Sequence, residues 1–437
     1  MKRTRECAAV TLCLILAAAA GAAAAGEGAL PRDEARIAEV AAGQRTEAAA
    51  SWWGFDPADA TESLQAAVDS GAARIVVPYT GAPWVIRPVR LRGNLELVFE
   101  PGVVVLAKPG EFKGGGDSLF SAKDAQNITV RGYGARLRMR KADYQSDAYE
   151  KAEWRTTLTF SGCRNIRVEG LSLENSGGDG IYLGATEALP RCEEVVIRDV
   201  LCWNHHRQGI SVISAKNLLI ENCRFFGTKG TAPQAGIDLE PNSANECLVN
   251  VTVRNCVMAN NWGAGILVYL KPLRKTSEPL SILFENCHVR SGNDQGIGVG
   301  AVGDDGPSGL IEFRNCTVEN TRNGGAYVYD KSAEAALVRF SGCNFRNTAT
   351  RSTEKHPWWP LVLSLNRDSI TRRHGGVEFV DCAVYDCLDR AALKTEEDQG
   401  EKGAVNVTGN IRRRGPGAAR AEFTPESQGC TLEVTPF

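Results

Sequence analysis

A short motif returns along the middle of the chain at an interval too brief for any globular unit. It reads Gly180-Ile181-Tyr182-Leu183, Gly209-Ile210-Ser211-Val212, Gly236-Ile237-Asp238-Leu239, Gly265-Ile266-Leu267-Val268 and Gly296-Ile297-Gly298-Val299, and ends at Gly325-Ala326-Tyr327-Val328. Successive glycines are 29, 27, 29, 31 and 29 residues apart. A second series keeps step with it: Ile220-Glu221-Asn222-Cys223, Val253-Arg254-Asn255-Cys256, Phe284-Glu285-Asn286-Cys287, Phe313-Arg314-Asn315-Cys316, then Phe340 to Cys343 and Phe379 to Cys382. Each unit holds two or three short strands of period-two alternation joined by Gly and Asn turns, and none holds a helix long enough for a crossover. Units this small bury their apolar side only by stacking. The pattern predicts an all-β chain, a right-handed, single-stranded parallel β-helix, with coils about 4.8 Å apart.

Stacking turns each series into a column. Cys223 to Cys382 are expected to form a buried ladder of small, reduced side chains, with a bridge from Cys382 to Cys387 or from Cys247 to Cys256 left open, and Asn222 to Asn315 a hydrogen-bonded turn ladder beside it. No Cys-x-x-Cys pair calls for zinc. The balance of 50 basic against 52 acidic residues gives a net charge of −2, which calls for neither nucleic acid nor an anionic membrane.

The first 25 residues read as a signal peptide. Lys2, Arg3 and Arg5 precede an apolar run from Cys7 to Ala25, with small residues Ala23-Ala24-Ala25 at the cleavage position. A secreted or periplasmic protein is expected, with no membrane span once the signal is removed. Residues 26–50 read as a linker, 51–415 as the β-helix domain and 416–437 as a separate C-terminal segment. Oligomeric state is left open.

Residues 54–69, followed by Ile75-Val76-Val77-Pro78, predict a short helix capped by Asp59 or Thr61, with Leu64, Ala67 and Val68 facing the core. Such a helix would plug the open end of the solenoid, where strand edges are otherwise unpaired. This arrangement resembles the N-terminal cap of the pectate-lyase-like β-helix superfamily, and the resemblance extends over residues 52–410. It implies the fold; the superfamily hosts hydrolases, lyases, epimerases and adhesins alike.

Alternation assigns sides. In Gly-Ile-x-Val the Ile and Val build the core, so x and the residue two further on point outward. One outer face then carries Tyr182, Asp238, Glu240, Tyr269 and Arg207. Asp238 and Glu240, two apart on one strand, should have Cβ atoms about 6.6 Å apart at ~3.3 Å per residue, a gap nearer to that of an inverting glycosidase than a retaining one. Close like charges also favour one protonated carboxyl, as a general acid requires. The expectation is therefore a glycoside hydrolase acting on a polysaccharide through Asp238 and Glu240. The same spacing resembles, in opposite order, that of iota-carrageenases.

Other residues support alternatives. His205, His206 and Arg207 occupy one turn, where histidine supplies an acid or base and arginine a carboxylate clamp; they resemble the Arg/His-bearing coils of alginate C5-epimerases. Asn175-Ser176-Gly177-Gly178-Asp179 resembles the polygalacturonase Asn-Thr-Asp-Gly motif with Asp179 at its Asp, although that family's later motifs do not follow. Lys271 and Lys229 are candidate bases or substrate contacts, and Trp203, Trp358 and Trp359, together with Tyr182 and Tyr269, candidate sugar platforms. A uronate lyase or epimerase is the second reading, a non-catalytic carbohydrate-binding surface protein the third. No cofactor is required; Asp238, Glu240 and Asn242 offer an oxygen set suited to calcium.

Overall fold

The computed structural model describes residues 28–366, 373–397 and 403–437; the segment read as a signal peptide lies outside them. The chain is a right-handed parallel β-helix. A 12-stranded parallel sheet carries the Gly-Ile motif, and its pairings step one coil at a time: Ile181 lies beside Ile210, Ile210 beside Ile237, Ile237 beside Ile266 and Ile266 beside Ile297. The remaining strands form a 24-stranded sheet of two runs, one of longer strands such as Ala215–Glu221 and one of three-residue strands such as Arg224–Phe226. The runs meet at Gly375–Tyr385, an 11-residue strand that pairs with both.

The core is a filled tube. Phe284, Phe313, Phe340 and Phe379 stack at 5.0, 5.0 and 5.1 Å between ring centroids, one per coil. The cysteines from Cys223 to Cys382 are buried and unbridged. From Cys256 onward each thiol reaches a carbonyl of the coil below, Cys287 to Val253 at 3.5 Å and Cys343 to Phe313 at 3.1 Å. A small apolar side chain with a weak donor thus occupies each turn without requiring water. Asn222, Asn255, Asn286 and Asn315 all adopt φ between 51° and 56°. Asparagine tolerates this left-handed conformation better than other non-glycine residues.

The glycine column has a different cause. A Cβ at Gly236 would lie 2.7 Å from the Gly265 carbonyl oxygen, so the coils close on each other there only without a side chain.

The long strands carry an ordered charge pattern. Arg131, Glu169, Arg198, Glu221, Arg254, Glu285 and Arg314 are register neighbours on seven successive coils and alternate in sign. Arg198 and Arg254 both pair with Glu221, at 2.9 and 2.5 Å, and Arg314 with Glu285 at 3.3 Å.

The predicted capping helix is the second of two α-helices near the N-terminus. Helix α1 spans Glu34–Ala41 and α2 spans Thr61–Asp69. In α2, Leu64, Ala67 and Val68 are buried, and Asp59 accepts the Thr61 N–H at 3.0 Å. Burial alone would raise the Asp59 carboxyl, but Lys108, Thr61 and Arg87 hold it down at about 2. Two sequence boundaries are corrected. The expected linker over 26–50 contains α1 and the strand Glu47–Ala49, which pairs with Arg74–Val76 and so begins the solenoid. The expected separate segment over 416–437 contains Thr431–Pro436, which pairs with Thr408–Arg413 and adds a further coil. The first stretch lacks the repeat's markers; the second carries one, Gly429-Cys430, whose thiol reaches the Ala404 carbonyl at 3.5 Å as the ladder cysteines do, and the sequence reading passed over it. Among the described residues no helix is long and apolar enough to cross a membrane.

Candidate functional site

The outer side of the 12-stranded sheet is less open than alternation implies. Asp238 does leave the core, yet it is fully buried, as is Ser211 on the coil below. Parity fixes the side of a sheet on which a residue lies, not what crosses over it. Long side chains from neighbouring coils cover Asp238. The Gln208 amide donates to Asp238 Oδ2 at 2.7 Å, and Glu240 and Arg207 lie close enough to set its ionisation.

Gln208 organises this site in three ways. Its Oε1 accepts the Ala235 N–H at 2.6 Å, which fixes the amide orientation and aims Nε2 at Asp238. Its backbone N–H donates to Asp179 Oδ1 at 3.0 Å. Both buried carboxyls are therefore tied to one residue. Since Oδ2 of Asp238 already accepts, Oδ1 is left to carry a proton, and it has no other partner within the protein among the described residues.

Arg207 is the one guanidinium in contact with the cluster among the described residues. It reaches Glu240 at 3.1 Å, Glu153 at 3.8 Å and Asp179 at 3.9 Å. Burial lifts Asp179 to about 7 against the pull of Arg207. Burial, then the charge of Glu240, lifts Asp238 well above the usual carboxylate range, against the pull of Arg207. Asp238 is thus placed to hold a proton beside the Glu240 carboxylate. Glu240 and Glu153 are the partly exposed members, at 26% and 27% of their side-chain surface. Tyr182, lifted by burial to about 12, and Tyr269, whose hydroxyl feels Glu240, flank them half-buried. Tyr329 lies against Gly300, and burial lifts its hydroxyl above the usual tyrosine range.

The histidines part company with this cluster. His205 is fully buried; its Nδ1 meets the Ser176 hydroxyl at 2.7 Å, and a Cβ at Gly180 would lie 2.7 Å from its Nε2. Burial holds it neutral, with its pKa lowered to about 3. The expectation of His205 as a catalytic acid or base is corrected: the turn tucks it beneath the next coil, out of reach of any polymer. His206 is also buried, bonded to Thr231 at 3.0 Å, but forms the floor of a cleft of ≈ 310 Å³ lined by Tyr144, Lys151, Glu153 and Trp154.

The remaining candidates stand apart. Lys271 is exposed and makes no contact with the cluster among the described residues. Lys229 sits over the Trp262 ring at 3.9 Å. Trp203 stacks on Phe226 at 6.3 Å. Trp358 and Trp359 are half-buried, the first under Arg351 at 4.1 Å and the second near Lys394 at 5.4 Å. Asn242 lies in the turn after the strand, where its N–H and that of Ser243 donate to Glu246. Among the described residues no group of three or more His, Cys, Asp or Glu side chains is arranged to hold a metal ion. Sequence reading missed Gln208 as a functional residue, although it adjoins Arg207. It also missed Glu153, which lies in the non-repeating stretch after the short helix Lys141–Tyr144 and carries no periodic signal.

Residues 151–299, which contain the cluster, match the family described as right-handed β-helix region. The uncharacterized protein YclG of Bacillus subtilis (strain 168) is 26% identical over 187 residues, covering 40% of this chain and 32% of that protein. The SPbeta prophage-derived uncharacterized protein YorA of the same organism is 25% identical over 196 residues, covering 41% and 33%. The match thus spans about a third of the length of each relative. Among solved structures, the catalytic unit of the GH87 alpha-1,3-glucanase from Streptomyces thermodiastaticus superposes with a TM-score of 0.59 at 15% identity, over 89% of this chain and 67% of that one. The Family 28 exopolygalacturonase of Yersinia enterocolitica gives 0.52 at 14%, over 89% and 78%. The A-module of the mannuronan C-5 epimerase AlgE6 of Azotobacter vinelandii gives 0.51 at 13%, over 89% and 99%. At these identities the likeness is one of fold.

Proposed function

We propose that this chain is a carbohydrate-active protein that hydrolyses a polysaccharide at the Asp179–Arg207–Asp238–Glu240 cluster. The observation that carries the reading is the Asp238–Glu240 pair: a buried carboxyl held neutral beside a partly exposed one. Such a pair keeps a proton available at neutral pH, which is what protonation of a glycosidic oxygen needs. Asp238 is too deep to touch a substrate, so it serves as the reservoir. Glu240 passes the proton to the leaving oxygen and is reprotonated from Asp238 Oδ1. Glu153, on the same guanidinium, takes the role of base for the attacking water. Arg207 balances the charge that the carboxylates gain and lose.

The charge balance also favours hydrolysis of a neutral polymer over lyase or epimerase chemistry. A uronate needs a free cation for its carboxylate. At the cluster Arg207 already faces three carboxyls and His205 is neutral and enclosed, while Lys151, in the adjoining cleft, stands with Glu153 rather than at the reacting centre. The three fold-level likenesses include two glycoside hydrolases and one epimerase, which is compatible with either chemistry. Export through the segment 1–25 belongs to the same proposal and is tested by N-terminal sequencing of the mature protein.

The direct test is Asp238→Asn. The asparagine preserves shape and the Gln208 hydrogen bond and can donate to Glu240, but it holds no transferable proton. Activity should fall by about 10²–10⁴, the usual worth of general acid–base catalysis, with the thermal midpoint little changed. Glu240→Gln should match it. Activity of the wild type should survive chelation; its loss with EDTA and recovery with calcium would replace the hydrolase reading with a metal-dependent one.

A further inference from the structure

Eight tryptophans are present, and seven are already engaged. Trp53 and Trp84 are buried. Trp52 is covered by Arg36 and Arg45, Trp203 by Phe226, Trp262 by Lys229, Trp358 by Arg351 and Trp359 by Lys394. Trp154 alone, among the described residues, has neither a ring nor a cation against its face, and it is the most exposed of them at 58%. A single exposed apolar residue is ordinary on a surface; what sets this one apart is a bare indole face lining a cleft.

Its surroundings indicate what it would bind. Trp154 lines the ≈ 310 Å³ cleft with Gln145, Lys151 and Glu153, and with His206 and Thr231 beneath. The rim is polar and hydrogen-bonding, the platform flat and aromatic. A pyranose fits this combination: its C–H face lies on an indole and its hydroxyls meet polar groups at the edge. The backbone here is rigid. Arg155, fully buried, donates to the carbonyls of Phe112 and Glu150 at 2.8 and 3.0 Å, and Gly178 packs against the Trp154 backbone. The cleft is also continuous with the cluster, because Glu153 belongs to both.

We infer that Trp154 and its cleft form a saccharide subsite beside the Arg207 cluster, taking a neutral pyranose of the bound polymer. The inference rests on the polysaccharide reading above for its ligand class but not on hydrolysis. A sugar seated on Trp154 would place the next linkages toward Glu153 and Glu240.

The test is a fluorescence and calorimetric titration of the Asp238→Asn protein, whose turnover is slowed enough to leave its ligand intact during a titration, with cellohexaose, laminarihexaose and maltohexaose, and with hexagalacturonate as the charged control. At least one neutral hexasaccharide should bind and hexagalacturonate should bind more weakly. Adding Trp154→Ala should weaken binding about tenfold, equivalent to ~1.4 kcal/mol. Trp154→Phe should recover most of the loss, which a merely structural residue would not allow. Trp262→Ala, whose ring is occupied by Lys229, should change binding less than about twofold, ~0.4 kcal/mol. Equal affinity in Trp154→Ala and its parent, or no binding of any neutral hexasaccharide, overturns the subsite. Binding lost in Trp154→Ala from a protein whose wild type cleaves nothing upholds the subsite and removes the hydrolase.

Discussion

Two faces of this solenoid are built from the same residue types and put them to opposite uses. On the long strands, seven charged residues from Arg131 to Arg314 alternate in sign coil by coil. The arginines there are about 40% exposed, and each carboxylate has a cation above or below it. On the 12-stranded sheet, Arg207 is 14% exposed and serves Asp179, Glu153 and Glu240, with Asp238 buried beside them. The ladder alternates four arginines with three glutamates, its guanidiniums open to water. The cluster lacks cations in a dry site, so protons make up the shortfall, and Asp179 and Asp238 take them. Register holds both sets of residues equally well. Their difference lies in stoichiometry and burial, and that is what separates a stacking device from a candidate catalytic one.

The sharpest way to test that contrast is to remove the organiser of the cluster. Gln208→Ala leaves Asp238 Oδ2 and the Ala235 N–H buried without partners. Denaturant unfolding should show a loss of about 1–3 kcal/mol, and activity should fall with it. A stable, active Gln208→Ala protein would mean that the two carboxyls are not held by this amide.

Asp179→Asn comes next, and its effect depends on pH. The folded carboxyl titrates at about 7 against an ordinary 3.8. Between these values the folded state holds a proton that the unfolded chain has released, so stability from this group is full below about pH 4 and is lost as pH rises through 7. His205 runs the other way. It is neutral when folded, with a pKa of about 3, so its contribution is present above 6.5 and lost as pH falls. The comparison must therefore be between variant and wild type. Asp179→Asn should gain relative stability steadily from pH 4 to 7 and level off above. A pH-independent difference would show that Asp179 does not hold its proton in the fold.

The smallest effect belongs to the ladder. Glu221→Gln breaks the pairs to both Arg198 and Arg254. Exposed pairs contribute little, so the loss should be no more than about 1 kcal/mol and should shrink in 1 M salt. Activity should be untouched. A larger or salt-insensitive loss would place the ladder with the cluster.

Much of the fold was legible because a solenoid writes its geometry as a period. The Gly-Ile and Asn-Cys series located the coils, the core side and the turn ladders, and α2 followed from its apolar spacing. The ends were read less well: Glu47–Ala49 carries no marker residue, and the single Gly429-Cys430 pair before Thr431–Pro436 stands outside the regular spacing, so it was not read as a further coil. At the site, parity identified Asp238, Glu240 and Arg207 as neighbours on one side. It could not reveal that Gln208 and Glu240 fold over Asp238, because cover depends on rotamers of adjacent coils. Nor could it find Glu153 and Trp154, which belong to a non-repeating excursion. His205 misled for a related reason. A histidine in a turn reads as exposed until the next coil's backbone is placed on top of it.

A proton held by Asp238 beside Glu240 should serve glycosidic cleavage. Incubating wild type and Glu240→Gln with neutral and uronic polysaccharides, and following reducing ends and ultraviolet absorbance together, tests this most directly. Reducing ends should appear from a neutral polymer without an absorbing, unsaturated product, and should be lost in Glu240→Gln. Cleavage that persists in Glu240→Gln, or an unsaturated uronic product, would contradict it.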